Sequence, residues 1–392
     1  MSITHVVPRY NRAVVTATSV VLCLGLVAVM LAVSRHIWTA TVPTPSGTNP
    51  VGTMSMRIVD QGRDNPYGAD GKKRELMIRF WYPAPPGQDC KLAEYASPKV
   101  WAYFSQISGI PLPAVKTNSC ANAPVTGGRH PVVVFTHGYT GTFTDTTFVC
   151  EDLASRGYVV VSVAHTYETT AVEFPDGRLV KSVFGSYLSV NTMRVDDESL
   201  KFARTVRLAD LSFVLDELQR LNSSSESPFA GRLDSHVGIM GHSLGGEASI
   251  SSLEHEARLS AAVLIDPVLS DASAAGTDKP VLVLAAGREQ WSEEECKLWS
   301  KLRGPRVAVN LKGADHLTPS DAAWLLRSVP ELAVRTGMMG QEKTIAAVRN
   351  YIGAFFDRSL LAKPQSALLN GPSSNYPDAV VTAQKQSLCG GT

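Results

Sequence analysis

The chain has 392 residues, 44% hydrophobic and 19% charged, a composition typical of globular proteins that excludes a largely disordered chain. Its 37 basic and 36 acidic residues give a formal net charge of +1. The overall electrostatic potential therefore does not attract a polyanion, and no nucleic-acid partner is expected. The chemistry of its partners must therefore be inferred from local motifs.

The first predicted element is an apolar segment that follows a short N-terminal segment, residues 1–12. Residues 13–33 carry no charge, and as a helix these 21 residues would reach about 31 Å, enough to cross a bilayer core. Arg9 and Arg12 precede the segment, which favours a cytosolic N-terminus. We expect an uncleaved signal anchor and a single-pass membrane protein whose main domain is extracytoplasmic. The alternative is cleavage near Ala40, which would give a secreted protein.

A linker is predicted at residues 34–53, and from about Met54 short apolar runs alternate with helical stretches. This alternation is typical of an α/β domain, with a mostly parallel central sheet and helices on both faces. We expect the domain to span residues 54–360 and residues 361–392 to form an irregular C-terminal tail. Strands are predicted at 76–82, 132–136, 158–163, 236–240, 261–265, 281–285 and 306–311, and helices at 144–156, 200–221 and 345–356. Two acidic residues of the second helix, Asp210 and Asp216, are expected to be solvated or paired along the helix.

The cysteines leave two interpretations open. Cys90 and Cys120 bracket a proline-rich insertion and would form a disulfide in an oxidising compartment. Alternatively, these two and Cys150, Cys296 and Cys389 are all buried thiols. None has the CxxC spacing of a structural zinc site, so no metal is expected.

The strongest motif is GHSLG at residues 241–245, which follows a predicted strand and precedes a helix-compatible run. It matches G-x-S-x-G, in which a strained strand-to-helix turn lifts a nucleophilic serine above the sheet. Glycines flank the serine because only small residues fit such a turn, and the helix N-terminus favours developing negative charge. The motif predicts Ser243 as a nucleophile on an α/β-hydrolase fold. His242 is expected to pack beside it, since consecutive side chains diverge on such a turn.

A serine nucleophile needs a base that is held by an acid, and this fold uses the chain order serine, acid, histidine. Asp266 ends a predicted strand 23 residues after Ser243, and Pro267 stops the strand directly afterwards. Asp271 and Asp278 lie in polar connecting sequence, where a solvated carboxylate is the default. Asp266 is therefore the predicted acid.

Two histidines follow the predicted nucleophile. His255 lies among charged residues on an exposed helix face, whereas His316 lies in a glycine-containing loop after the last predicted strand, 73 residues beyond Ser243. His316 is therefore the predicted base. Its neighbour Asp315 cannot easily reach the ring and is assigned to loop structure.

An ester-cleaving serine enzyme also needs backbone donors for the oxyanion of its tetrahedral intermediate. One should be the N–H of Leu244, the residue after the nucleophile. The other should come from the loop after an early strand, where His137, Gly138 and Tyr139 follow VVVFT. We nominate the backbone N–H of Tyr139.

Several segments resemble the platelet-activating-factor acetylhydrolase family, a calcium-independent group of phospholipases A2 in the α/β-hydrolase superfamily. The resemblance runs from about Arg79 to His316 and is carried by RFWYPA, PVVVFTHGYTG, EDLASRGYVVVSVAH, RLADLSFVLDEL, GHSLGG and VLIDP. It implies the same nucleophile, acid, base and oxyanion donors. The insertion between the first two cysteines, residues 172–197 and the C-terminal tail have no counterpart that we can place.

The expected function is hydrolysis of a short or oxidised acyl ester, with a platelet-activating-factor-like phospholipid as the substrate and no cofactor. The expected partners are a small-molecule or lipid ester substrate and, through the N-terminal helix, the membrane. One alternative is a general carboxylesterase or polyester-type hydrolase with the same three residues. Another is a catalytically silent binding protein on a hydrolase fold, which a full set of catalytic residues in the right order argues against.

Overall fold

The computed structural model describes residues 39–389 apart from 69–70, 88–89, 188–195, 271–275, 326–339 and 385. In these residues a twelve-stranded sheet separates two groups of helices. The strands are β1 (Thr39–Thr41), β2 (Val51–Asp64), β3 (Lys73–Pro83), β4 (Leu92–Glu94), β5 (Ala114–Ala121), β6 (His130–Thr136), β7 (Val159–Ala164), β8 (Ala171–Glu173), β9 (Leu179–Lys181), β10 (Leu233–His242), β11 (Leu259–Ile265), β12 (Val281–Ala286), β13 (Arg306–Leu311) and β14 (Ala379–Ala383). The helices are α1 (Pro98–Ser108), α2 (Thr147–Ser155), α3 (Asp197–Ser223), α4 (Leu244–His255), α5 (Glu293–Lys301), α6 (Ala322–Leu325) and α7 (Gln341–Leu361), with a 3₁₀ turn at Ala367–Leu369.

The sheet order is β1-β5-β2-β3-β7-β6-β10-β11-β12-β13-β14, with β4 paired to β5, while β8 and β9 form a separate hairpin. The six strands from β7 to β13 are mutually parallel. β3 is antiparallel to both β7 and β2, and β14 is antiparallel to β13, whereas β2 pairs parallel with β5. Because parallel strands end at the same edge of a sheet, the loops after β6, β10, β11 and β13 meet along one edge.

Each central strand is buried on both faces. Val133 and Phe135 pack with α2 and α7 on one side, whereas Val132 and Val134 pack with α3 and α4 on the other. This division follows from the two-residue repeat of a strand. It also explains why these strands are continuously apolar in sequence.

The α/β class and all seven predicted strands are confirmed. Six of the predicted strands lie wholly within an observed strand, and the other, 158–163, begins one residue before β7. The three predicted helices correspond to α2, α3 and α7. The predicted irregular tail is wrong in one part, because residues 379–383 pair with β13. The predicted linker likewise contains β1 and the start of β2. These edge strands are held by backbone hydrogen bonds, which leave little trace in composition.

Two disulfides join described cysteines. Cys90 is bonded to Cys120, the pair expected for an oxidising compartment, and Cys296 is bonded to Cys389, which ties the C-terminal tail to α5. Cys150 is a buried free thiol.

Three sequence predictions concern residues outside the described part of the chain: the segment 1–12, the anchor at residues 13–33, and the placement of Asp271. Within the described part of the chain, no helix combines the length and the apolar character that crossing a bilayer requires.

Candidate active site

Ser243 forms the sharp turn between β10 and α4. Its backbone has φ 57° and ψ −120°, a conformation that is strained for any residue with a side chain. Four backbone hydrogen bonds hold it: Ser243 N–H donates to the carbonyl of Ile265 at 2.9 Å, and its own carbonyl accepts from Gly246 at 2.9 Å, Val268 at 3.2 Å and Glu247 at 3.4 Å. The strain therefore persists because the surrounding strands fix the turn on both sides.

Close packing explains the glycines of the motif. A Cβ atom on Gly241 would lie 2.1 Å from the carbonyl oxygen of Gly245, and one on Gly245 would lie 2.1 Å from that of Thr136. No side chain fits at either position. The glycines thus let the first turn of α4 rest directly on β10 and on the end of β6.

Ser243, His316 and Asp266 come together in one line of hydrogen bonds. The Ser243 Oγ lies 3.0 Å from His316 Nε2, and His316 Nδ1 lies 2.5 Å from Asp266 Oδ2. Asp266 directly follows β11 and is fully buried, whereas the His316 side chain, in the loop after β13, is 41% exposed. The imidazole can therefore exchange a proton with the serine hydroxyl while its other nitrogen donates to the carboxylate.

The surroundings of Asp266 favour the ionised carboxylate. Its Oδ1 accepts from the backbone N–H of Ala286 at 2.8 Å and faces the Arg288 guanidinium at 3.0 Å. Burial alone would raise the pKa of Asp266, but the hydrogen bond from His316 and the charge of Arg288 outweigh it and hold that pKa below its ordinary value. The carboxylate is therefore charged at neutral pH and fixes the orientation of the imidazole.

The other candidate acids and bases bind groups outside the line of Ser243, His316 and Asp266. Asp315 accepts from the backbone N–H of His316 at 2.6 Å, as its assignment to loop structure anticipated. Asp278 is paired with Arg303 at the surface. The ring of His255 donates to a carbonyl of its own helix.

His242 does more than fill space next to the nucleophile. It is 4% exposed, and its Nε2 donates to the backbone carbonyl of His316 at 2.8 Å. Burial, with a smaller contribution from the charge of His316, lowers the pKa of His242 to about 4. This neutral imidazole thus pins the backbone of the His316 loop, a contact between residues 74 apart that sequence reasoning missed.

The two nominated oxyanion donors lie beside Ser243. Leu244 is the first residue of α4, so its N–H is among those that have no acceptor within the helix and point out of its positive end. Tyr139 follows Gly138, whose added Cβ would lie 3.4 Å from the Ser243 Cβ. The Tyr139 ring is buried against Phe184, with the ring centroids 5.4 Å apart.

Sequence reasoning was wrong about one of the two acidic residues of α3. Asp210 is not solvated but fully buried, and its carboxylate accepts from Arg74 at 2.6 Å, from Arg63 at 2.5 Å and from His165 Nδ1 at 3.0 Å. Burial alone would raise the pKa of Asp210, but Arg74 and His165 hold it far below the ordinary value. These partners lie far away in sequence, so helix periodicity could not reveal them. Asp216 is exposed and paired with a surface arginine, as expected.

Two family models match the chain. A model described as platelet-activating factor acetylhydrolase, isoform II matches residues 41–175, and one described as PET hydrolase-like matches residues 188–328. A protein of Arthroderma benhamiae, named as a probable 1-alkyl-2-acetylglycerophosphocholine esterase, is 27% identical over 65% of this chain and 67% of its own. The platelet-activating factor acetylhydrolase of Gallus gallus is 24% identical over 48% of this chain and 52% of its own. These matches confirm the resemblance to the platelet-activating-factor acetylhydrolase family.

A solved esterase structure supports the wider α/β-hydrolase assignment. The structure of a ferulic acid esterase from Streptomyces cinnamoneus superposes with a TM-score of 0.74 and 31% identity, over 88% of this chain and 99% of that one. The chain is thus a carboxylic ester hydrolase. It spans about half the length of the chicken acetylhydrolase, so substrate preference has to be argued from the site.

In the part of the chain that the structure describes, no group of three or more His, Cys, Asp or Glu side chains is arranged to hold a metal ion.

Proposed function

We propose that this chain is a serine esterase in which Ser243 is the nucleophile, His316 the general base and acid, and Asp266 the group that orients the base. The observation that carries the proposal is the continuous hydrogen-bonded line from the strained serine through the imidazole to a buried, ionised carboxylate. A strained turn that holds a serine hydroxyl next to a histidine has little structural benefit, and it is what nucleophilic catalysis requires.

The proposed reaction has two halves. His316 Nε2 takes the hydroxyl proton as Ser243 Oγ bonds to the ester carbonyl carbon, and the resulting oxyanion is held by the N–H groups of Tyr139 and Leu244. Collapse of this intermediate breaks the bond to the alcohol, which leaves with the proton from His316. Water then attacks the acyl-enzyme, His316 removes its proton, and the acid product departs as the serine is regenerated.

The proposed substrate is a short-chain or oxidised acyl ester, in particular the sn-2 acetyl ester of a platelet-activating-factor-like phospholipid. The names of the fungal and chicken relatives support this choice. The PET hydrolase-like match and the ferulic acid esterase neighbour support a second candidate, a general carboxylesterase acting on aromatic or polymeric esters.

A panel of three esters separates these candidates: an acetyl glycerophosphocholine ether, a feruloyl ester and a soluble terephthalate diester. Wild type is compared with Ser243→Ala on each. We expect the highest kcat/KM on the acetyl lipid and loss of activity with every ester in the variant. Preferential cleavage of the aromatic esters would replace the lipid substrate with the second candidate, whereas retained activity in Ser243→Ala would refute the proposed nucleophile.

The proposed location is the membrane, with the catalytic domain outside the cytosol, as the apolar segment 13–33 suggests. The proposal predicts that the full chain stays in the membrane pellet after alkaline carbonate extraction and that external protease digests its catalytic domain. Release into the medium of a form that begins near Ala40 would instead indicate cleavage and secretion.

A further inference from the structure

A buried arginine lies directly behind the loop that carries the Tyr139 N–H. Arg207 is on α3 and is fully buried. Its Nη1 donates to the carbonyl oxygen of His137, and its Nη2 donates to that of Gly138 at 3.0 Å. Its Nε and Nη2 also bind the carboxylate of Glu168, which is equally buried, and its Nη1 also donates to the hydroxyl oxygen of Thr136 at 3.2 Å. One side chain thus binds two consecutive carbonyls of the loop and is itself anchored from the opposite side.

The carbonyl of Gly138 receives two further hydrogen bonds. His137 Nδ1 donates to it at 2.7 Å, and Gly141 N–H donates at 2.9 Å. His137 must therefore carry its proton on Nδ1. Burial and the nearby Arg207 charge keep the pKa of His137 well below its ordinary value, so the ring is neutral and its second nitrogen can accept from the His165 N–H. Three donors fix the direction of this single carbonyl.

The direction of the Gly138 carbonyl determines the direction of the next N–H. A trans peptide is planar, so the N–H of Tyr139 points opposite to the carbonyl of Gly138. That carbonyl faces Arg207 in the interior, and the Gly138 backbone packs against Ser243. We propose that Arg207 is a positioning residue for ester hydrolysis: by holding the Gly138 carbonyl inward, it aims the Tyr139 N–H at the oxyanion and polarises that peptide. This inference rests on the oxyanion role proposed above for Tyr139.

The geometry explains why the residue is an arginine. A guanidinium presents five N–H donors in a planar fork and can bind two carbonyls and a carboxylate at once, whereas a lysine ammonium is a compact point charge. Arg207→Lys keeps the positive charge next to Glu168 but cannot hold both carbonyls in register. Arg74→Lys is the matched control. Arg74 is equally buried and belongs to the same polar cluster, but it binds Asp210 and the carbonyl of Thr166 rather than the oxyanion loop.

The test measures kcat, KM and the ionisation of a bound transition-state analogue in wild type, Arg207→Lys and Arg74→Lys. Removal of one oxyanion donor lowers kcat by about 100- to 1,000-fold in comparable enzymes, so we expect a loss of about 10-fold or more in Arg207→Lys with little change in KM. A trifluoromethyl ketone labelled with ¹³C at the carbonyl forms a hemiketal on the serine. We expect its hydroxyl, followed by ¹³C NMR, to ionise at higher pH in Arg207→Lys than in wild type or Arg74→Lys.

The outcomes separate this inference from the proposed function. Arg207→Lys with wild-type kcat and hemiketal ionisation would overturn the positioning role, and so would equal losses in Arg207→Lys and Arg74→Lys. If Arg207→Lys does not fold, Glu168→Gln weakens the anchor of the same guanidinium and is judged by the same two readouts. Retained activity in Ser243→Ala would instead refute the nucleophile on which both proposals depend.

Discussion

Asp266 occupies an unusual position for a carboxylate: it is fully buried directly after a strand, with a positive φ of 40°. Its two oxygens divide their partners, since Oδ2 accepts from His316 and Oδ1 from Ala286 and Arg288. One oxygen therefore remains committed to the imidazole while the other is tied to the strand edge. This division gives the carboxylate an orienting role that an amide could not reproduce.

Asp266→Asn is expected to lower kcat by about 1,000- to 10,000-fold with little effect on KM, because an amide at this position favours the wrong tautomer of His316. Steady-state kinetics with a nitrophenyl acetate ester measure the effect. Asp315→Asn is the control, since the Asp315 carboxylate binds the backbone N–H of His316 and not its ring, and it should retain most of the activity. Equal losses in the two variants would contradict the assigned roles.

The buried imidazole of His242 should make the free energy of unfolding depend on pH. Its pKa in the folded protein is about 4, below the ordinary value of 6.5, so its stabilising contribution is complete above pH 6.5 and is lost as the pH falls toward 4. Urea unfolding of wild type and His242→Gln should show a stability difference that shrinks by about 2 kcal/mol between pH 7 and pH 5. The comparison cancels shared contributions such as that of Asp145, whose pKa is raised by burial to about 6. A difference that stays constant with pH would refute this linkage.

At the scale of elements, the loop that carries His316 is anchored at its far end. Asp321 accepts from the first N–H groups of α2, those of Thr147 at 3.1 Å and Phe148 at 3.2 Å, and from the hydroxyl of Tyr95 at 2.8 Å. The residue before α2, Thr146, has no side-chain cap of its own. A carboxylate from a distant loop therefore caps α2 and fixes the loop at the same time.

Asp321→Ala is expected to lower the free energy of unfolding by about 2 kcal/mol or more, because several buried donors lose their acceptor. The freed loop should also lower kcat, since His316 lies five residues away. Denaturant unfolding and initial rates measure the two effects. Asp278→Ala removes only an exposed ion pair and should change the unfolding free energy by less than about 1 kcal/mol. A stable, fully active Asp321→Ala protein would contradict the anchoring role.

Elements with a strong local signal could be predicted from the sequence, and those that depend on distant partners could not. The central strands are buried on both faces and therefore continuously apolar. The second half of β2 is only partly buried, and β14 is five residues long, so neither has a pattern that separates it from a loop. In the site, chain order and motif context were sufficient to nominate Ser243, Asp266 and His316. The contacts of Arg207 and His242 depend on residues about 70 positions away, which no local pattern encodes.

At the scale of the whole molecule, the C-terminal tail is bound to the hydrolase domain by β14 and by the disulfide from Cys389 to Cys296. This disulfide closes a segment of 93 residues, whereas Cys90–Cys120 closes 30. Cross-links that close longer loops remove more conformational entropy from the unfolded chain.

Replacing Cys296 and Cys389 together by alanine should therefore lower the free energy of unfolding by about 2–4 kcal/mol. The matched double replacement of Cys90 and Cys120 should lower it by about 1 kcal/mol less. Urea unfolding of both double variants and the wild type under oxidising conditions tests this ranking. Unfolding curves for the Cys296 and Cys389 double variant that coincide with those of the wild type would contradict it.

The central claim is that an acyl group passes through Ser243. Rapid mixing with p-nitrophenyl acetate, an acid quench and peptide mass spectrometry locate any acyl-enzyme directly. The account predicts an acetyl group on the peptide containing Ser243 in the wild type, and neither this acetyl group nor ester turnover in Ser243→Ala. Acetylation at another residue that supports turnover, or undiminished hydrolysis by Ser243→Ala, would contradict it.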